Sequence, residues 1–151
     1  MLEIKGNLWD FHNMGFPVVI TTNCEINNRG EAIMGRGIAL EAKQKFPGLA
    51  KDLGKFIKFH FSDVHYFPEY NLFNFPTKFD WRKDSDINLI KMSVNNLSEI
   101  VTYKRRNDTT FVNFDRIYLV RPGCSNGHLN WEEVKPIISK YLDDSYIVVN
   151  K

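Results

Sequence analysis

Hydrophobic and polar residues along this chain follow two different periods, and each period predicts one kind of secondary structure. Leu2 and Ile4 alternate with charged residues, and short apolar runs occur at residues 16–20, 115–120 and 146–149. Short runs rich in β-branched residues are typical of strands, and uninterrupted ones are typical of buried strands. The middle of the chain is aromatic and predicts further strands at residues 56–61, 64–67 and 70–75.

Three other segments have the period of an amphipathic helix. Their apolar stripes are Ile38, Ala39, Ala42 and Phe46; Ile87, Ile90, Val94, Leu97 and Ile100; and Val134, Ile137, Ile138 and Tyr141. Pro47-Gly48 should end the first helix. Asn130, followed by Glu133, predicts a capping box at the start of the third helix. Pro136 lies inside that helix, where it should cost stability or introduce a kink.

Strands that alternate with helices are typical of an α/β domain with a parallel or mixed sheet. A chain of 151 residues suffices for one such domain, so we expect residues 1–151 to form a single domain. With 43% hydrophobic residues and 12 Phe, the chain is too apolar to be intrinsically disordered. Its net charge of +2 weakly favours an anionic ligand, but the basic residues are spread out and form no nucleic-acid footprint.

Several classes of site are not indicated by the sequence. Cys24 and Cys124 are far apart and have no CxxC or His partners, which argues against a zinc site or a disulfide framework. No His or carboxylate cluster has metal-ligand spacing, so we expect neither a metal nor a cofactor. No apolar run reaches membrane length and the N-terminus lacks a signal-like segment, so we expect a cytoplasmic protein without membrane contact.

Two segments share one arrangement, in which a buried strand leads through a glycine-rich loop into a helix. The first loop contains Gly35 and Gly37, and the second contains Gly123 and Gly127. Glycine permits a positive φ and close backbone approach, and a helix N-terminus attracts phosphate. Both loops would lie at the carboxyl ends of strands, where α/β sheets bind ligands. Either loop taken alone is better explained as a plain turn.

Several of these motifs resemble the macro domain family. They are Gly6-Asn7-Leu8, Thr22-Asn23-Cys24, Met34-Gly35-Arg36-Gly37-Ile38-Ala39 and Gly123-Cys124-Ser125-Asn126-Gly127, in that order along the chain. The segment Asn74-Phe75-Pro76-Thr77-Lys78-Phe79-Asp80-Trp81-Arg82 resembles one branch, which contains bacterial DNA ADP-ribosyl glycohydrolases. Neighbouring branches contain terminal ADP-ribose protein glycohydrolases and ADP-ribose-1″-phosphate phosphatases. The resemblance implies a three-layer α/β/α fold with a mixed central sheet.

The resemblance also implies a set of residues that bind ADP-ribose. These are Asn7, Leu8, Asn23, Met34, Gly35, Gly37, Ile38, Ala39, Gly123, Cys124, Ser125, Asn126 and Gly127. Asn7 occupies the position whose side chain binds the adenine amine in the family. An asparagine after Gly6 is explained equally well as a turn residue. The two glycine loops would approach the distal ribose and the diphosphate, mostly through backbone groups.

Lys78 is the catalytic residue that the resemblance implies. It would act at the anomeric C1″ carbon, as a nucleophile or as a stabiliser of the opening ribose. An attacking lysine must be deprotonated, so burial or nearby positive charge would have to lower its pKa. The protein-directed branch pairs this lysine with an Asp in the second loop, at the position that Gly127 occupies here.

These resemblances imply a hydrolase that removes ADP-ribose from DNA or from protein. The alternatives are an ADP-ribose-1″-phosphate phosphatase and a non-catalytic reader of ADP-ribosylated partners. His128 as an acid or base and Cys124 as a nucleophile are weaker hypotheses, because spacing alone supports them. Trp81 is near enough to Lys78 in sequence to border the cleft. We expect a monomer of bacterial or phage origin.

Overall fold

The computed structural model describes residues 1–108 and 111–151. The elements in those residues are β1 (Leu2–Lys5), α1 (Leu8–Asn13), β2 (Val18–Asn23), α2 (Gly37–Lys45), α3 (Leu49–His60), β3 (His65–Phe67), β4 (Leu72–Lys78), α4 (Ile87–Asn107), β5 (Ile117–Leu119), α5 (Trp131–Ile138) and β6 (Tyr146–Asn150). The predicted alternation of strands and helices is confirmed.

The six strands form one mixed sheet in the order β1-β6-β5-β2-β4-β3. All neighbouring strands are parallel except β3, which runs antiparallel to β4. Parallel strands direct their carboxyl ends to the same edge of a sheet. The segments that follow β2, β4, β5 and β6 therefore meet at one edge.

Successive strand residues point to opposite faces of this sheet, and both faces carry apolar side chains. Helices therefore cover both faces. In β2, Val19 belongs to one apolar cluster with Val94 of α4 and Val134 of α5. Its neighbours Val18 and Ile20 belong to a second cluster, which also contains residues of α1, α2 and α3. The arrangement is the predicted three-layer α/β/α sandwich with a mixed central sheet.

The strand predicted at residues 56–61 is wrong, since most of that segment lies in helix α3. Leu49, Leu53 and Ile57 follow one another at intervals of four residues and are all buried. Burial of this helical stripe outweighs the local β-propensity of a Phe-rich segment. Residue 61 follows the helix as its C-cap.

Two further details differ from the sequence prediction. The short helix α1 was not predicted; Asn7 caps it by accepting a hydrogen bond from the Trp9 backbone N–H at 3.0 Å. Asn130 is the N-cap of α5 as predicted, but the capping-box bonds do not form, because its side-chain amide donates to the Glu133 carboxylate at 3.2 Å and caps no backbone N–H. Pro136 lies inside α5 as expected.

Candidate functional site

A cavity of about 940 Å³ lies at the edge where the parallel strands end. Its walls come from the ends of β2, β4 and β6 and from the two glycine-rich loops. This is the edge at which α/β sheets bind their ligands, and the volume suits a large small molecule. Eleven residues of the predicted site line it: Asn23, Gly35, Gly37, Ile38, Ala39, Lys78, Gly123, Cys124, Ser125, Asn126 and Gly127.

Three residues of the predicted set lie elsewhere in the described chain. Asn7 is exposed, and its side-chain oxygen is occupied by the cap of α1. Leu8 and Met34 are buried in the apolar core, at 3% and 2% exposure. The structure therefore places Met34 in the apolar core and not at the cavity wall, and the contact of Asn7 with an adenine stays a prediction.

The first loop leads directly into the N-terminus of α2. Gly37 is the first residue of that helix and has a φ of +56°, which favours glycine. Arg36 is the N-cap and makes no side-chain capping bond, so the first N–H groups of α2 have no such partner. A Cβ atom on Gly35 would meet no atom within 4 Å. This loop offers open backbone to a ligand.

The second loop is packed rather than open. Gly123 has a φ of +76°, and a Cβ atom there would lie 2.8 Å from Ile90 Cδ1. A Cβ atom on Gly127 would overlap Ser85 Oγ and lie 2.5 Å from the Gly123 carbonyl oxygen. The Ser85 N–H also donates to the Gly127 carbonyl at 2.9 Å. The glycines of this loop allow it to fold tightly against itself and against residue 85.

The two loops and strand β4 meet around Asn126. A Cβ atom on Gly37 would lie 2.9 Å from Asn126 Nδ2, so the two loops face each other across a narrow gap. Lys78 Nζ donates a hydrogen bond to the Asn126 carbonyl oxygen at 2.9 Å. The gap between the loops therefore has the Lys78 ammonium group at one side.

A β-bulge directs Lys78 into this position. Along β4, Pro76 pairs with Thr22 of β2, whereas Lys78 pairs with Asn23, so Thr77 is the extra residue. A bulge rotates the residue that follows it, and bulges are frequent beside active sites for that reason. The Asp86 N–H donates to the Thr77 carbonyl at 2.8 Å, which ties the bulge to the start of α4.

The surroundings of Lys78 make loss of its proton easier than in a free lysine. Partial burial lowers the pKa of Lys78, the Arg36 guanidinium lowers it further, and the Asp84 carboxylate raises it. Arg82, which follows Lys78 closely in sequence, instead forms a two-pronged ion pair with Asp80 at 2.9 and 3.0 Å. The sequence therefore indicated that a positive charge would have to lower the pKa of Lys78, but it did not indicate that Arg36 supplies this charge.

Two buried hydroxyl groups at the cavity wall have no hydrogen-bond partner among the described residues. They are Thr22 Oγ1 and Ser85 Oγ, and the two residues are 7% and 8% exposed. An unpaired buried hydroxyl is costly, and a ligand or water in the cavity can supply the missing bond. Ser85 was missed by sequence reasoning because a serine in a polar loop carries no distinguishing signal.

Neither Cys124 nor His128 is placed for the chemistry that spacing alone suggested. Burial raises the pKa of the Cys124 thiol to about 11, and its Sγ donates to the Pro122 carbonyl at 3.3 Å. A thiol in that state is a poor nucleophile at neutral pH. His128 Nδ1 shares a 2.7 Å hydrogen bond with Asp84 Oδ1, and its side chain is outside the cavity lining.

The far end of the cavity carries a flat aromatic surface that the sequence did not single out. Trp131 lines the cavity, and the Arg121 guanidinium lies 5.0 Å from its ring centroid. The Trp131 indole N–H donates to Glu3 Oε1 at 2.8 Å, which fixes the ring. The position of Trp131 a few residues after the second loop was the signal in the sequence that could have indicated this surface. Trp81 borders the opposite end, beside Lys78, as expected.

Within residues 1–108 and 111–151, no group of three His, Cys, Asp or Glu residues is arranged to hold a metal ion. No helix in the same residues is both long and apolar enough to cross a membrane.

Comparison with known proteins identifies structural relatives but no sequence family. No protein-family model matches the chain, and no curated protein matches it in sequence. The macrodomain of Mycobacterium tuberculosis DarG is similar with a TM-score of 0.76 at 21% identity, over 99% of this chain and 97% of that one. The macrodomain of Thermus aquaticus DarG has a TM-score of 0.72 at 25% identity, with the same coverage of both chains.

A third solved structure contains a larger protein. Thermosipho africanus DarTG in complex with ADP-ribose is similar with a TM-score of 0.72 at 20% identity. The likeness covers 97% of this chain but 40% of the DarTG chain. Together the three structures confirm the fold that the sequence resemblance implies.

Proposed function

We propose that this chain, which has the macrodomain fold, binds ADP-ribose in the cavity between its two glycine-rich loops and hydrolyses an ADP-ribosyl linkage. DNA is the proposed carrier of the ADP-ribose, and Lys78 is the proposed catalytic residue. The observation that carries the proposal is the Lys78 ammonium group, held at the loop gap by its 2.9 Å bond to the Asn126 carbonyl. A solved DarTG structure with this fold holds ADP-ribose.

The shape and chemistry of the cavity support a dinucleotide-like ligand. The open N-terminus of α2 and the backbone at Gly35 provide hydrogen-bond donors and a partial positive charge for a diphosphate. At the far end, the flat surface of Trp131 and Arg121 suits a purine ring. At the near end, Asn23 and Lys78 pair side by side across β2 and β4, where the distal ribose would lie.

Lys78 is proposed to attack C1″ as a neutral amine. Its pKa is lowered by burial and by Arg36, which increases the fraction of lysine that is deprotonated near neutral pH. In the first step the Nζ–C1″ bond forms while the bond from C1″ to the base breaks, and the departing base nitrogen takes the proton that the alkylated Nζ gives up. Water then hydrolyses the lysine adduct and releases ADP-ribose.

Packing around Gly127 supports DNA rather than protein as the carrier. The protein-directed branch that the sequence resembles has an Asp at this position as the partner of the lysine. Here a Cβ atom would overlap Ser85 Oγ and lie 2.5 Å from the Gly123 carbonyl, so the backbone leaves no space for an Asp. A mechanism that depends on a lysine–aspartate pair does not fit this loop.

Product detection tests the proposal. Wild type, Lys78→Ala and the control Lys140→Ala, which changes an exposed lysine outside the cavity lining, are incubated with thymidine-ADP-ribosylated single-stranded DNA and with ADP-ribose-1″-phosphate. We expect free ADP-ribose from the DNA with wild type and Lys140→Ala, and at least about 100-fold less with Lys78→Ala.

Other outcomes identify the alternative functions. Release only from the phosphate ester, unchanged in Lys78→Ala, would make the protein a phosphatase. Binding of ADP-ribose without release from either substrate would make it a reader.

A further inference from the structure

Three exposed aromatic side chains lie together beside the Lys78 end of the cavity. Phe61, Phe79 and Trp81 are 53%, 42% and 38% exposed, and we call these three residues the aromatic rim. The Phe61 and Phe79 rings are stacked, with centroids 5.8 Å apart and an interplanar angle of 17°. Trp81 lines the cavity, and Phe79 directly follows the cavity residue Lys78 in the sequence, so the rim borders the proposed site.

The backbone at Phe61 is strained although the ring is more than half exposed. Phe61 has a φ of +50° and a ψ of −93°, a conformation that favours glycine and strains a residue with a Cβ. More than half of its side chain is exposed, so the free energy gained by burying the rest offsets little of the cost of that strain. Packing gives little reason for a strained, exposed aromatic residue at this place, whereas contact with a ligand would give one.

Positive charge accompanies the aromatic rim. The Arg36 guanidinium lies 5.7 Å from the Trp81 ring centroid. In the sequence, Lys78 and Lys83 lie on either side of Phe79 and Trp81. Asp80 is already paired with Arg82 and therefore does not cancel these charges. Aromatic faces next to cations are the combination that binds single-stranded nucleic acid, whose bases stack while its phosphates pair with the cations.

We propose that the aromatic rim binds the unpaired bases next to the modified nucleotide of a single-stranded DNA. The inference rests on the proposed function for the identity of the strand, because the rim borders the place where the carrier would leave the cavity. The stacked rings of Phe61 and Phe79 offer a face for one base, and Trp81 with Arg36 offers another. A duplex would bind less well, because its bases are stacked on each other.

Binding of an unmodified, fluorescently labelled thymidine oligonucleotide of about 12 nucleotides, followed by anisotropy, tests the inference. The variants are Phe79→Ala and Phe61→Gly. The control is Tyr103→Ala, which changes a ring on α4 that is 66% exposed and lies about 24 Å along the helix from its start. We expect each rim variant to weaken binding at least about fivefold and the control to match wild type.

A stability measurement separates binding from folding. Phe61→Gly removes the strain at φ +50°, so its thermal midpoint should equal or exceed that of wild type while its oligonucleotide affinity falls. Wild-type anisotropy that does not respond to the oligonucleotide, or rim variants that bind it as wild type does, would overturn the inference. Preference for the duplex over the single strand would also overturn it.

The experiment separates this inference from the proposed function. If wild type binds the strand through the rim but releases no ADP-ribose from modified DNA, the hydrolase proposal fails and the docking surface stands. If release occurs and the rim variants bind normally, the hydrolase proposal stands and the docking surface fails.

Discussion

The two glycine-rich loops have the same place in the fold but use their glycines differently. In the first loop, a Cβ on Gly35 would meet nothing within 4 Å, and one on Gly37 would meet only the end of the Asn126 side chain. In the second loop, a Cβ on Gly123 or Gly127 would collide with core residues or with backbone. The first loop is thus open to the cavity, and the second is kept narrow by its own packing.

This difference shows that a strand–glycine–helix motif does not have a single meaning. Glycine in the first loop allows a ligand to approach the backbone, whereas glycine in the second loop allows the backbone to approach itself. Only the second use contributes to the stability of the apo protein. Substitutions in the two loops should therefore separate stability from ligand binding.

The largest effect is expected for Gly127→Ala. The added Cβ overlaps Ser85 Oγ and approaches the Gly123 carbonyl, so the second loop must move or lose its contacts. We expect the free energy of unfolding to fall by about 3 kcal/mol in urea denaturation. Gly35→Ala is the matched control and should change it by less than about 0.5 kcal/mol. Equal stability of the two variants would show that the loops do not differ in packing.

A smaller effect, on ligand affinity and not on stability, is expected for Gly35→Val. The side chain enters open space at the cavity wall, so the unfolding free energy should remain that of wild type. The affinity for ADP-ribose should fall about tenfold, or about 1.4 kcal/mol, because the ligand can no longer approach the backbone. Isothermal titration calorimetry measures this, and an unchanged affinity would contradict the assignment of the first loop to the ligand.

The smallest effect concerns the charges that the two loops hold near Lys78. Arg36 of the first loop lowers the pKa of Lys78, and Asp84, bonded to His128 after the second loop, raises it. An attacking amine is active when neutral, so the rate of ADP-ribose release at saturating substrate should increase as pH passes upward through that pKa. Arg36→Gln should move this increase to higher pH, and Asp84→Asn should move it to lower pH.

The sign of the pH profile also tests the role of the lysine. A rate that decreases with rising pH over the same range would show that Lys78 acts as a cation. Displacement of the profile in the same direction by both variants would show that neither charge acts through Lys78.

Much of the fold could be predicted from the sequence because its strands and the helices α2, α4 and α5 have recognisable periods. The stripe from Ile87 to Ile100 predicted α4, and the apolar runs at 16–20 and 146–149 predicted β2 and β6. Helix α3 was mistaken for a strand at Phe56 because its helical period is visible only when Leu49 and Leu53 are included. Helix α1, with six residues, is too short to show a period at all.

The candidate site could be predicted where residues are close in sequence and not where the fold brings them together. The glycine loops and Lys78 belong to local motifs, and the structure brings them to one cavity. Arg36, Ser85 and Trp131 contribute charge, a hydroxyl group and a flat surface, but each is an ordinary residue in its own segment. The bulge at Thr77, which positions Lys78, depends on pairing between strands and leaves no signal in the sequence.

Comparing ADP-ribose affinity with turnover in Lys78→Ala tests the central claim most directly. Calorimetry gives the dissociation constant for ADP-ribose, and single-turnover release from thymidine-ADP-ribosylated DNA gives the rate. The account predicts that the affinity stays within about threefold of wild type, because the loops bind the diphosphate, while the rate falls at least about 100-fold. A variant that loses affinity and rate in equal proportion, or that retains its rate, would contradict the assignment of the chemistry to Lys78.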